Sequence, residues 1–121
     1  MKGAIPLENR IKQRAVKAAE LALDKKASNV VILDLKDLSS IADYFVICSG
    51  ENRAQLRAIA ESIDEHFSKE KIFPLGKEGM DTARWILMDY GDMVVHIFDE
   101  ETRSYYNLDK FWMDAGRISV E

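Results

Sequence analysis

The stretch Trp85-Ile86-Leu87-Met88-Asp89-Tyr90-Gly91-Asp92-Met93-Val94-Val95-His96-Ile97-Phe98 holds two strand-like runs, Arg84 to Tyr90 and Met93 to Phe98, separated by Gly91-Asp92. Glycine at the first central position suits a two-residue type II′ turn, which needs a positive φ there. Such a turn fixes the register as Tyr90–Met93, Asp89–Val94, Met88–Val95, Leu87–His96, Ile86–Ile97 and Trp85–Phe98. Side chains alternate across a strand, so the register also sorts the faces. One face carries Ile86, Met88, Met93, Val95 and Ile97, with Tyr90 at the turn, and should lie under helices. The other mixes Trp85, Leu87, Val94 and Phe98 with one carboxylate, Asp89, and one imidazole, His96. That mixture suits a recognition surface, where a Trp anchors a patch and polar groups orient the partner. It also suits a second face covered by a helix, with Trp85 and Phe98 as core. Both readings stay open at this point.

Outward from the hairpin, Leu7 to Lys26 carries Leu7, Ile11, Ala15, Ala18 or Ala19 and Ala22 at helical spacing, with Pro6 at its first turn. Ser28-Asn29 breaks that helix. The runs Val30 to Leu35 and Asp43 to Cys48 read as strands. Ser49-Gly50-Glu51-Asn52 reads as a turn and helix start, capped by Ser49 or Asn52. The helix continues to about Lys69 with Leu56, Ile59, Ala60, Ile63 and Phe67 on its buried stripe. Pro74, Gly76 and Gly79 predict a loop over Ile72 to Asp81 with one short edge strand. Beyond the hairpin, Asp99 to Thr102 turns into a polar segment, and Leu108 to Met113 forms a terminal helix ended by Gly116. The fold class is α/β: a single domain, a mixed β-sheet with helices mainly on one face.

At 121 residues, 47% hydrophobic and 31% charged, the chain suits one compact soluble domain. A formal charge of −4 argues against broad attraction to phosphate backbones, so if the partner is a ribonucleoprotein the docking surface is expected to be protein, without sequence-specific nucleic-acid binding. No apolar run approaches the ~20 residues that span a membrane. The N-terminus has no secretory leader, and a cytoplasmic location is expected. Cys48, the only cysteine, sits in an apolar run and reads as a buried small hydrophobe.

Chemistry finds little support. Asp34, Asp37, Asp43, Asp89 and Asp92 stand at strand ends, where a metal-dependent transferase would place carboxylates. Asp89 and Asp92, however, flank a turn that favours Asp for local reasons. Cys48-Ser49-Gly50 could offer backbone N–H groups to an anion, but a single glycine with no following Lys is a weak phosphate signal. His66 and His96 lack ligand spacing for zinc. No catalytic residue, metal site or cofactor is expected.

Several segments in order resemble one family. Ala42-Asp43-Tyr44-Phe45-Val46-Ile47-Cys48-Ser49-Gly50, the helix opening Asn52-Arg53-Ala54-Gln55-Leu56, the loop Pro74-Leu75-Gly76-Lys77-Glu78-Gly79 and the Trp85–Phe98 hairpin are similar to ribosomal silencing factors of the Iojap-like family. Arg103, Tyr106, Leu108 and Trp112-Met113-Asp114-Ala115 resemble the family's C-terminal segment, so the likeness spans about residues 8 to 115 of a single domain, 1–121. The resemblance implies a nucleotidyltransferase-like fold in a homodimer, with no enzymatic activity. It implies binding to the large ribosomal subunit through the universal large-subunit protein numbered fourteen, which keeps the small subunit off and represses translation. The interface residues it carries over are Trp85, Leu87, Asp89, Tyr90, Asp92 and His96. A rival reading is a nucleotidyltransferase using Mg²⁺; it lacks a pair of alternating carboxylates, since Asp34 stands between Leu33 and Leu35. A general dimeric adaptor is a third. The docking reading further expects Trp85→Ala to melt nearly as the wild type does.

Overall fold

The computed structural model describes residues 7–118 and 120. Helix α1 (Leu7–Asp24) leads into β1 (Ser28–Asp34) and β2 (Tyr44–Gly50), then α2 (Arg53–Lys69). The hairpin strands are β4 (Trp85–Asp89) and β5 (Met93–Asp99), preceded by a short β3 (Gly76–Glu78). Two short helices, α3 (Glu100–Tyr106) and α4 (Leu108–Phe111), and a last strand β6 (Gly116–Ile118) complete the chain. Pro6 and the side chain of Leu7 lie outside the described residues.

The strands form one sheet in the order β3-β4-β5-β2-β1-β6. Only β2 and β5 run parallel, from Tyr44 beside Met93 to Gly50 beside Asp99. The other neighbouring pairs are antiparallel. Strand β2 is buried along its whole length, which is why its sequence is a near-continuous apolar run rather than an alternation. Its entrance is tied to the hairpin turn, because the Asp92 carbonyl accepts the N–H groups of Asp43 (2.8 Å) and Tyr44 (3.1 Å).

Helices α1 and α2 cover one face. Four alanines, Ala15, Ala18, Ala19 and Ala22, are fully buried and let α1 lie close on the sheet beside Ile11. Helix α1 ends in a left-handed Lys26, with Lys26 N–H bonded to Leu23 O (2.8 Å) and Ala27 N–H to Ala22 O (3.0 Å). These two hydrogen bonds satisfy carbonyls that the last turn leaves open. Helix α2 buries the expected stripe of Leu56, Ile59, Ala60, Ile63 and Phe67. The first core lies between these helices and Ile32, Tyr44, Val46, Ile86, Met88, Val95 and Ile97.

A second, smaller core occupies the opposite face, where Leu108, Trp112 and Ala115 cover Leu33, Phe45, Ile47, Val94 and Phe98. Four expectations change here. Ser49 and Gly50 end β2 instead of opening a turn, and Asn52 caps α2 by accepting the Gln55 N–H at 2.8 Å. The polar segment after Asp99 is helix α3, capped by the Asp99 carboxylate on Thr102 N–H (2.7 Å). The terminal helix is one turn, α4, broken from α3 by a left-handed Asn107. Gly116 does not end a helix but opens β6, which pairs with β1 through Asp34–Gly116, Leu33–Arg117 and Ile32–Ile118.

Candidate functional site

The hairpin takes the register that its turn demands: Trp85 opposes Phe98, Ile86 opposes Ile97, Leu87 opposes His96, Met88 opposes Val95 and Asp89 opposes Val94. Gly91 has φ +87°, Tyr90 N–H reaches Met93 O at 2.9 Å, and the Asp89 carboxylate accepts the Gly91 N–H at 2.8 Å. Strand β4 alternates half-buried and buried residues, with Trp85, Leu87 and Asp89 facing outward and Ile86 and Met88 inward. The short helices cover only part of the second face. Val94, His96 and Phe98 are buried beneath it, while Trp85, Leu87 and Asp89 stay half-buried at the uncovered border.

Trp85 is held in place from several sides. Its indole stacks on Phe98 at 4.9 Å and meets the Tyr106 ring at 4.7 Å. Its Nε1–H donates to His96 Nδ1 at 3.1 Å. An indole N–H can only donate, so Nδ1 is the acceptor and the neutral imidazole carries its proton on Nε2. His96 is 4% exposed, and Nε2 is buried with no partner among the described residues. Burial disfavours the imidazolium and lowers the His96 pKa from 6.5 to about 4. With these contacts on a half-buried indole, removing the ring is expected to cost some stability.

The six residues carried over by resemblance do not all share one surface. Trp85, Leu87 and Asp89 do, and Asp92 is exposed at the turn beside them. His96 lies underneath and orients the indole. Tyr90 points to the opposite face, its ring 5.4 Å from Phe67 and its hydroxyl buried without a partner among the described residues. Burial first, and the Asp64 carboxylate second, push the Tyr90 pKa up.

The strand–helix junction, where a transferase of this fold class would hold phosphate, is filled by the chain's own groups. Glu51 N–H is taken by Gln55 Oε1 at 2.6 Å, and Gln55 Nε2 donates to the carbonyls of Lys25 and Lys26, each at 3.0 Å. Arg103 reaches across from α3 and donates to Ser49 Oγ (2.8 Å), to Asn29 O (2.7 Å) and, through Nε and Nη2, to both Asp109 oxygens (3.0 and 3.2 Å). A bidentate guanidinium–carboxylate pair of this kind is rigid as well as strong. Asp34 is engaged locally, accepting Lys36 N–H at 3.1 Å. No three His, Cys, Asp or Glu side chains among the described residues converge as metal ligands. Cys48 is fully buried, and burial pushes its pKa up to about 12, so the thiol stays protonated.

Sequence reasoning missed the α3 contribution to this region. Its signal was the cap: Asp99, three residues before Thr102, with Glu100 and Glu101 in the first turn. The helix escaped detection because it buries no residue and so shows no apolar stripe.

A family model described as "Ribosomal silencing factor during starvation" matches residues 8–121. The chain belongs to that family. It is 46% identical over 104 residues to a Bacillus subtilis protein named ribosomal silencing factor RsfS, covering 86% of this chain and 88% of the relative. A crystal structure of a Bacillus halodurans protein superposes with a TM-score of 0.75 at 39% identity, covering 92% of this chain and 98% of that one. A Chromobacterium violaceum protein gives a TM-score of 0.77 at 29% identity, covering 86% and 84%. No helix among the described residues is long and apolar enough to cross a membrane.

Proposed function

We propose that this ribosomal silencing factor binds the large ribosomal subunit through the universal large-subunit protein numbered fourteen and sterically prevents the small subunit from joining, which represses translation. The observation that carries the reading is Trp85: a half-exposed indole, pre-oriented by stacking and by His96, at the border of a partly covered sheet face. A rigid aromatic anchor loses little side-chain freedom on binding, which is what makes such residues binding hot spots. Trp85, Leu87, Asp89 and Asp92 are the contacts in this proposal, while His96 and Tyr90 act from beneath as positioning residues.

Steric exclusion needs no chemistry, and the chain acts here as a regulator and not as an enzyme. The occupied junction at Ser49 and Arg103 supports this, as does the lone Asp34 carboxylate on β1. We further place the factor in the cytoplasm, as a homodimer of single domains with its functional core over about residues 8–115. Co-sedimentation with isolated large subunits tests the central claim. The protein is expected to pellet with large subunits and to lower the yield of joined ribosomes in proportion to its occupancy. Unchanged joining at saturating protein would refute it.

A further inference from the structure

The net charge of −4 conceals a separation of charge along the chain. Residues 1–26 hold seven Lys and Arg against three Asp and Glu, whereas the remainder holds ten against eighteen. Helix α1 concentrates the surplus. Arg10, Arg14 and Lys17 follow one another at i, i+4 and i+7, the spacing that sets side chains on one helix face. Together with the last turns of α2 they line a cleft of about 340 Å³, with Phe67 in its wall. Arg10 and Lys17 are exposed, and Arg14 is half-buried. Like charges at these intervals repel and weaken a helix, so the face costs stability while it stays unneutralised. Among the described residues neither Arg10 nor Arg14 has a hydrogen bond or ion pair, and Lys17 has an exposed pair with Glu20 at 3.7 Å. Glu70 is the one carboxylate in the lining, and it stands 3.5 Å from His66 on its own helix. The cleft thus sets three cations against one carboxylate.

Such a cleft is suited to an anion that carries several charges. We infer that it receives phosphates of large-subunit RNA, as a second contact beside the protein contact made by the Trp85 surface. Guanidinium groups grip phosphate oxygens in pairs. Arg10 and Arg14 stand about 6 Å apart along the helix axis, close to the step between successive phosphates of one RNA strand. Charges gathered in a cleft also focus their field toward it. Phosphate is the most abundant anion on a ribosomal subunit, which favours it over an acidic protein segment. The position agrees. Phe67 also meets the Tyr90 ring beside the hairpin turn (5.4 Å), so the cleft opens near the end of the sheet that carries Asp89 and Asp92. Phosphate contacts carry no base readout, so the cleft adds attraction without sequence preference. The inference rests on the docking reading above and adds an RNA contact to it.

The test is sedimentation titration of isolated large subunits at fixed Mg²⁺ over a series of monovalent salt concentrations. Wild type is compared with the double variants Arg10→Gln/Arg14→Gln and Arg10→Lys/Arg14→Lys. Glutamine keeps helix propensity, and unchanged melting checks the fold; should the Gln pair melt early, the exposed Arg10→Gln alone serves, with about half the change. The Gln pair is expected to weaken binding about three- to thirtyfold at low salt. Its plot of log affinity against log salt should be flatter than that of wild type by about one to two units, because two phosphates no longer release counterions. The Lys pair keeps both charges and should retain the wild-type slope. Wild-type affinity in the Gln pair, or a flattened slope in the Lys pair, overturns the inference. Weaker binding of the Gln pair with an unchanged salt slope also overturns it and would indicate an acidic protein segment in the cleft. Wild-type protein that fails to sediment with the subunits would defeat the docking reading itself, a result distinct from wild-type binding with indifferent variants.

Discussion

At the scale of single residues, Trp85 belongs both to the smaller core and to the proposed interface. Its ring packs on Phe98 and Tyr106 and its N–H is satisfied by His96, yet one side stays open. Full burial would make truncation cost ~3–5 kcal/mol. For a half-buried ring we expect Trp85→Ala to lower stability by about 2 kcal/mol and to leave the domain folded. Binding to large subunits should fall at least about thirtyfold, the loss typical of a hot-spot Trp. A folded Trp85→Ala protein that binds at full strength would remove the hairpin from the interface. His96 makes a separate prediction through pH. Its folded pKa lies near 4, below the 6.5 of the free group, so the unfolded chain takes up the proton first. Stability is therefore full above about pH 6.5 and declines as pH falls toward about 4, by up to about 3 kcal/mol from this group. Urea unfolding of wild type and of His96→Asn across that range should show a steeper pH slope in the wild type; equal slopes would exclude His96 as the cause.

At the scale of elements, the hairpin was legible because two independent constraints agree. Period-two alternation assigns its faces, and Gly91-Asp92 fixes its register. The segment before it was legible as a loop with one short edge strand, which is β3 at the sheet edge, but not as the place of a decisive contact. Gly79 has φ +82°, and a Cβ there would overlap the Trp85 carbonyl oxygen. A strained backbone of this kind is tolerated by glycine at little cost and by alanine at about 1–3 kcal/mol. Gly79→Ala should thus lower the melting temperature and, because β4 must shift to make room, weaken large-subunit binding as well. A variant that melts and binds like the wild type would show that this edge does not position Trp85. Helix α3 and strand β6 were not legible, for opposite reasons. Helix α3 is surface-exposed and short, so no apolar periodicity marks it. Strand β6 spans three residues, Gly116 to Ile118, and exists because the free edge of β1 recruits it.

At the scale of the whole molecule, the sequence by itself determined a great deal. Helical spacing located α1 and α2 and their buried stripes, and the long apolar run of β2 marked it as a strand. The hairpin turn set which side chains share a face. These are local constraints, carried by residues a few positions apart, and the chain obeys them wherever it folds. The order of motifs also carried the resemblance to silencing factors. Only the tertiary structure decided how much of the mixed face stays open, because that depends on Leu108, Trp112 and Ala115, downstream of the hairpin, folding back over Leu33, Phe45, Ile47, Val94 and Phe98. It also decided that His96 is buried rather than on the surface. The same holds for Arg103, which sits 54 residues from Ser49 in sequence and bonds to it at 2.8 Å. Pairings of that range follow from the parallel placement of β5 beside β2, and neither alternation nor turn chemistry in either segment encodes which distant strand will be the neighbour.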